Sequence, residues 1–282
     1  MKYNAALVLE GGGMRSCYTA GVLDFFMEEN IDFSYIVGVS AGCGCALNFI
    51  SKQIGRACDL SVEYGNDKRV VGINNLLKNK GYFNLEAIYY ELDKVVYFDY
   101  EKFYASDSRF LVGCFNLEKG VVEYFEKDDL KKSLAPLIAS SSLPLISKKV
   151  KIGNNHYLDG GIVDSIPLNK ALKDNMEKRV VILTNPKEYV RKPESSIPLV
   201  KLLYFKYKHL ISALKNRHIV YNEMMKKVNE MEDNKELFVI RPTKPLSVSR
   251  YSKDKETLLE AYNQGREDAS KQLKALIKYL SE

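Results

Sequence analysis

No run of apolar residues in this 282-residue chain approaches the ~20 needed to cross a bilayer. The opening MKYNAALVLEGGG does not read as a secretory leader either: its apolar run covers only Ala5 to Leu9 and stops at Glu10. Cysteine is sparse and odd in number, five residues without framework spacing. That speaks against a disulfide scaffold and for reduced thiols in a cytoplasmic protein. Cys43-Gly-Cys45 has no second Cys or His pair at a matching spacing, so the expectation is small buried thiols and no metal. Charge of one sign is not abundant. Lys+Arg 42 against Asp+Glu 36 leaves +6, too mild to argue for nucleic acid, yet enough to favour an anionic surface if clustered. Histidine is scarce, with only His156, His209 and His218.

What is present is an ordinary globular composition, 46% hydrophobic and 28% charged, long enough for one large domain or two small ones. Residues 5–9 and 35–39 read as short buried strands, and 16–29 and 41–53 as helices. A strand-helix-strand-helix opening implies right-handed parallel crossovers and an α/β sheet. Further on, SRFLVGCFNLEKGVVEYFEK reads as a hairpin turning at 118–120, and DDLKKSLAPLIASSS as helix until Pro144. NHYLDGGIVDSIPLNKAL reads as strand, glycine turn and a helix entered near Pro167, and KRVVILTN as another buried strand. Beyond a Pro- and Ser-containing connector, 199–232 is mostly helical, 236–243 is a late strand and 254–280 a long helix. The late strand returns the chain to the same sheet, so a single domain over 1–282 is expected: a core of about 5–185, then a mostly helical extension.

Three short stretches carry chemistry. In YIVGVSAGCG, Ser40 stands between Gly38 and Gly42 where a strand hands over to a helix. A G-x-S-x-G turn of this kind is a nucleophile elbow, with the following helix aiming its positive end at developing negative charge. In LEGGGMR, Gly11, Gly12 and Gly13 follow a strand and leave bare N–H groups able to approach a carbonyl oxygen. One lost donor of this kind costs about 3 kcal/mol in a transition state. A dinucleotide loop would need glycine at Ser16, and a Walker loop is absent. Arg15 either fixes the loop or attracts an anionic head group. In YLDGG, Asp159 is delivered by a strand to the turn Gly160-Gly161. Desolvated, its carboxylate would titrate high enough to take the serine proton and return it to a leaving alcohol. His156 and Leu158 share one strand face, Tyr157 and Asp159 the other. His209 and His218 lie in a lysine-rich segment.

Together, Gly11-Gly12-Gly13-Met14-Arg15, Gly38-Val39-Ser40-Ala41-Gly42, Asp159-Gly160-Gly161 and ASSSLP at 139–144 resemble the patatin-like phospholipase family, in family order over roughly 5–185. The resemblance implies a three-layer α/β/α fold with a mainly parallel central sheet. It implies hydrolysis of lipid acyl esters by a Ser-Asp dyad without histidine, through an acyl-enzyme and with no cofactor. Carried over, Ser40 looks like the nucleophile, Asp159 the proton acceptor, and the Gly11–Gly13 amides with Arg15 the oxyanion hole. Ser16 stands where the family usually has glycine. RPTKPLSVSRY and AYNQGREDA are similar to the tail of a bacterial subgroup. Two alternatives stay open: a lipid-binding regulatory protein without turnover, and a Ser-His-Asp hydrolase using His209 or His218. Finally, residues 197–220 hold five Lys or Arg and no acid among aliphatic and aromatic residues. The segment reads either as a peripheral contact with an anionic membrane or as a helix pair packed on the domain with a solvated basic face.

Overall fold

The computed structural model of the chain describes residues 1–78 and 80–282. Its strands are β1 (Lys2–Leu9), β2 (Asp32–Val39), β3 (Arg109–Asn116), β4 (Val122–Glu126), β5 (Val150–Ile152), β6 (Asn155–Asp159), β7 (Arg179–Ile182) and β8 (Phe238–Ile240). They form one sheet in the order β5-β6-β3-β2-β1-β7-β8, with β4 also on β3. The pairs β1–β2, β1–β7, β2–β3 and β7–β8 are parallel; β3–β4, β3–β6 and β5–β6 are antiparallel. The helices are α1 (Ser16–Glu28), α2 (Ala41–Ile50), α3 (Arg56–Tyr64), α4 (Ile73–Leu77), α5 (Tyr100–Ala105), α6 (Lys127–Lys132), α7 (Ala135–Ser141), α8 (Leu168–Lys173), α9 (Ile197–Leu203), α10 (Lys208–Asp233) and α11 (Lys255–Ser281).

The central strands are apolar on both faces because helices cover both. Leu7, Leu9 and Ile36 pack with Phe26 of α1, Phe49 of α2 and Leu276 of α11. Their alternates Ala6, Val8 and Val37 meet Ala171 of α8 and Met225 and Val228 of α10. The result is the three-layer α/β/α sandwich that the resemblance implies, on the α/β sheet expected from the strand-helix alternation. All five cysteines are free and buried. Among the described residues no helix is long and apolar enough to cross a membrane.

Several elements differ from the sequence reading. The helix expected from Asp128 to Pro144 is two, because Pro136 fits only the first turn of a helix and the chain restarts there. Residues 204–207 likewise separate α9 from α10, and the late strand shrinks to Phe238–Ile240. Strand β5 and helices α3 to α5 have no counterpart in the sequence reading; β5, α4 and α5 span only three to six residues each.

The C-terminal helix is built into the core through two glycines. A Cβ on Gly21 of α1 would lie 2.0 Å from the Tyr262 carbonyl oxygen, and one on Gly265 of α11 2.1 Å from that of Tyr18. The backbones of α1 and α11 therefore touch where any side chain would force them apart. Gly265→Ala is expected to destabilise the fold by about 1–3 kcal/mol through overpacking, although alanine is the better helix former. Gly44→Ala in α2, whose Cβ would meet nothing within 4 Å, should stabilise by up to about 1 kcal/mol. Urea unfolding of both variants checks the contrast; equal effects would contradict it.

Candidate active site

Pairing registers show how two distant segments meet. Strand β2 ends with Val39 opposite Gly113 of β3, while β6 runs the other way and ends with Asp159 opposite Cys114. Since β4 occupies the other edge of β3 along Leu111–Phe115, β2 and β6 share one edge and approach head to head. Ser40 and Gly160 fall in the gap between them. A Cβ on Gly160 would lie 2.4 Å from the Gly113 oxygen and 3.1 Å from Val39. Only glycine lets the chain leave β6 this close to β2.

Ser40 has φ 55° and ψ −135°. That conformation costs a non-glycine residue about 1–3 kcal/mol and persists only where the surroundings hold it. Here Ser140 of α7, fully buried, accepts the Ser40 N–H at 2.9 Å and donates to the Gly113 oxygen at 2.7 Å. Gly42 packs against the end of β1, where a Cβ would meet the Glu10 oxygen at 2.9 Å, and Gly38 leaves room for the Cys43 amide. The elbow is thus clamped from below by a serine hydroxyl and from both sides by backbone.

The glycine loop lies beside it: a Cβ on Gly11 would meet the Ser40 Cβ at 3.0 Å. Two expectations for this loop need correction. The Gly11 N–H already donates to the Ser165 oxygen at 3.1 Å, so it is not a free oxyanion donor. The Arg15 guanidinium turns away from the cavity to Asn185 Oδ1 at 3.0 Å, bracing the loop from behind. Among the described residues, the amides of Gly12 and Gly13 remain without a backbone acceptor. Gly13 has φ +58°, and its amide neighbour Met14 donates to the Arg250 oxygen at 3.1 Å. Ser16, the departure from glycine, hydrogen-bonds back to the Gly13 oxygen at 2.6 Å and so tightens the turn.

Asp159 is 2% exposed. Burial raises its pKa above the ordinary carboxylate value, opposed by the Ser40 hydroxyl, the charges of Arg217 and Arg250, and the Gly161 N–H at 2.7 Å. The candidate nucleophile and acid are therefore neighbours, brought together by the approach of β2 and β6. No histidine joins them among the described residues. His156 pairs with Glu118 at 2.9 Å, and His209 packs on Gly120 in the β3–β4 turn. Ser40 and Gly13 open onto a cavity of about 240 Å³ walled by Leu60, Val70, Phe83, Ile88, Phe103 and Leu137. Much of that wall comes from the irregular stretch between β2 and β3.

A family model described as patatin-like phospholipase matches residues 7–172, more than half of the chain and all three motifs. The chain belongs to the patatin-like phospholipase family. A second model, a domain of unknown function, covers residues 207–281 of this patatin-like chain. "Uncharacterized protein YjjU" of Escherichia coli K12 is 26% identical over 93% of this chain and 74% of its own length. "Probable lipid hydrolase 463L" of Invertebrate iridescent virus 6 is 26% identical over 95% of this chain and 89% of its own. Among solved structures, VipD from Legionella pneumophila superposes with a TM-score of 0.51 at 13% identity, over 97% of this chain and 67% of that one. That likeness is one of fold.

Several residues around the patatin-like site were not singled out from the sequence. Ser140 lies within the ASSSLP stretch, which gave a signal without a role. Glu10, fully buried, accepts from the Thr184 N–H at 2.6 Å, the Tyr221 hydroxyl at 2.8 Å and Asn185 at 3.2 Å, fixing the loop's base. Arg191, Arg217 and Arg250 come from beyond the patatin match and follow no local pattern.

Proposed function

We propose that the protein is a lipid acyl hydrolase in which Ser40 attacks the ester carbonyl and Asp159 takes its proton, without histidine. The observation that carries this reading is the head-to-head meeting of β2 and β6, which sets the strained serine against a buried acid beside the Gly12 and Gly13 amides. The cycle balances simply. As Ser40 Oγ bonds to the carbonyl carbon, Asp159 accepts its proton, and the two amides hold the oxyanion. The carbon–oxygen bond to the alcohol then breaks, and Asp159 returns the proton to that oxygen. Water adds to the acyl-serine by the same route and releases the acid. The apolar cavity takes the acyl chain. Supporting the lipid assignment are the family itself and the virus relative named as a probable lipid hydrolase. The reading treats residues 1–282 as one folding unit, consistent with β8 joining the sheet and α11 lying on α1. The test is hydrolysis of a short-chain aryl ester and a lysophospholipid panel by the wild type. Turnover that disappears with Ser40→Ala supports the reading; no turnover of any ester leaves the non-catalytic lipid binder.

Approach to lipid is proposed to run through α9 and its exit, a narrower patch than 197–220. Leu202, Leu203 and Phe205 are 60–70% exposed there, interleaved with Lys201, Lys206 and Lys208. Leu210, Leu214 and Arg217 of α10 are instead buried against the sheet and cannot face a membrane. Reversing Lys201, Lys206 and Lys208 to glutamate should weaken binding to anionic vesicles at least about 100-fold, at ~1 kcal/mol per charge removed. Cosedimentation measures it, and unchanged binding would remove this surface.

A further inference from the structure

Three arginines from outside the patatin-matched region converge on the site. Arg250 lines the cavity together with Ser40, and its Cγ and carbonyl oxygen pack directly against Gly13. Among the described residues its guanidinium forms no ion pair and donates no hydrogen bond, although the residue lines the pocket that holds the candidate nucleophile and its charge acts on Asp159. Arg217, from α10, donates through Nε to the Gly161 oxygen at 2.9 Å and reaches Glu194 at 3.4 Å. Arg191 donates through Nη1 to Ser165 at 3.0 Å and lies over the Tyr221 ring at 3.7 Å; its Nη2 is buried with no partner among the described residues. Both are at least nine-tenths buried. Arg217 feels the charges of Arg250 and Arg191, and Arg191 that of Arg250; burial with this crowding pulls Arg217 down to about 10.

Buried like charges repel and are expensive to desolvate, so a fold that gathers them without matching anions stores a demand for one. Arg217 is matched by Glu194, and Glu10 answers Arg191 at longer range; among the described residues Arg250 has no ion-pair partner, and its charge acts on Asp159, which must be free to receive a proton. A guanidinium presents a planar fork of donors suited to a phosphate. A lipid whose carbonyl carbon sits at Ser40 and whose acyl chain fills the apolar cavity leaves its head group at the polar rim. Arg250 stands on that rim, beside Gly13.

We propose that Arg250, backed by Arg217 and Arg191, is the phosphate subsite of the substrate pocket, so that the enzyme reads a phosphate-bearing lipid in preference to a neutral ester. The role of the domain of unknown function at 207–281 is then to supply the head-group side of a site whose chemistry lies in 7–172. Arg250 is the contacting, specificity-determining residue. Arg217 and Arg191 are positioning residues that keep the field positive and hold the Gly161 and Ser165 turn. The assignment rests on the pocket proposed above, but not on turnover.

The test uses full-length Ser40→Ala protein, which cannot consume its ligand, and two probes differing only in phosphate: 1-hexanoylglycerol 3-phosphate and 1-hexanoylglycerol. Calorimetry should give at least about tenfold tighter binding of the phosphate ester, since hydrogen bonds to charged groups are worth that much. The preference should vanish with added Arg250→Gln and partly return with Arg250→Lys, which keeps a cation. Thermal melting of each variant confirms folding. Equal affinity for the two probes, or a preference that survives Arg250→Gln, overturns the proposal. Inorganic phosphate should compete only weakly; if it binds as tightly as the lipid, the site reads free phosphate and the head-group assignment falls. Phosphate-selective binding in a wild type that hydrolyses no ester would sink the hydrolase reading and leave the subsite standing. Active hydrolysis without selectivity does the reverse.

Discussion

Ser40→Ala should lower kcat on any accepted ester by about 10⁵–10⁶-fold, the scale of losing a serine nucleophile whose partners act as a unit. Alanine is the informative replacement. It keeps the Cβ at φ 55°, so the backbone strain and the Ser140 clamp are the same in both proteins, and only the hydroxyl is gone. Stability by urea unfolding should therefore change by no more than about 1 kcal/mol, since only the hydroxyl's interaction with Asp159 is lost and the Gly161 N–H still serves that carboxylate. A loss of activity accompanied by a loss of fold would point to the elbow's architecture instead.

Asp159→Asn should lower kcat by about 10³–10⁴-fold, comparable to spoiling the acid of a serine-hydrolase site while its geometry survives. The amide still accepts the Gly161 N–H at its oxygen but cannot take a proton. The pH dependence carries a further signature. Burial raises the Asp159 pKa, and the base must be ionised to work, so wild-type kcat/KM should fall on acidification through a limb above the ordinary carboxylate range near ~3.9. Stability should move the opposite way. A carboxyl whose folded pKa is raised contributes stability that is full below the unfolded pKa and lost as pH rises through the folded one. The amide of Asp159→Asn has no such cost, so the variant's advantage in melting temperature should widen from acid to neutral pH. A variant that is inactive but shows no pH-dependent gain would indicate that Asp159 is not a desolvated base.

The architecture was legible where local pattern and burial agree. The short apolar runs at 5–9 and 35–39, each closed by a glycine turn, read as buried strands, and the Gly-flanked Ser40 marked the turn between layers. Asp159 was legible because a polar residue between an apolar strand and two glycines has little structural reason to be there. What could not be read was long-range. Nothing local says that β6 would share an edge with β2, since that follows from β3 extending three residues past Val39's partner. The Gly11 amide looked as bare as its neighbours until Ser165, over 150 residues away, supplied its acceptor. Arg217 counted among the basic residues of a candidate surface helix, yet it lies on the buried face with Leu210 and Leu214. A helix with apolar residues around most of its circumference does not announce which side meets the protein. The wall of the acyl cavity escaped for another reason: it is gathered from several short elements and turns between β2 and β3, each too brief to show which side it encloses.

The central claim is that the carboxyl of Asp159 alone activates Ser40. Fluorophosphonate labelling followed by peptide mass spectrometry tests it on the intact protein, because the reagent reacts only with an activated hydroxyl. Wild type should carry one adduct, on Ser40, and a protein with His156, His209 and His218 all replaced by alanine should label at a rate within about threefold of it, while Asp159→Asn slows labelling about 10³-fold or more. An adduct on another residue, or labelling that depends on any of the three histidines, would contradict the account.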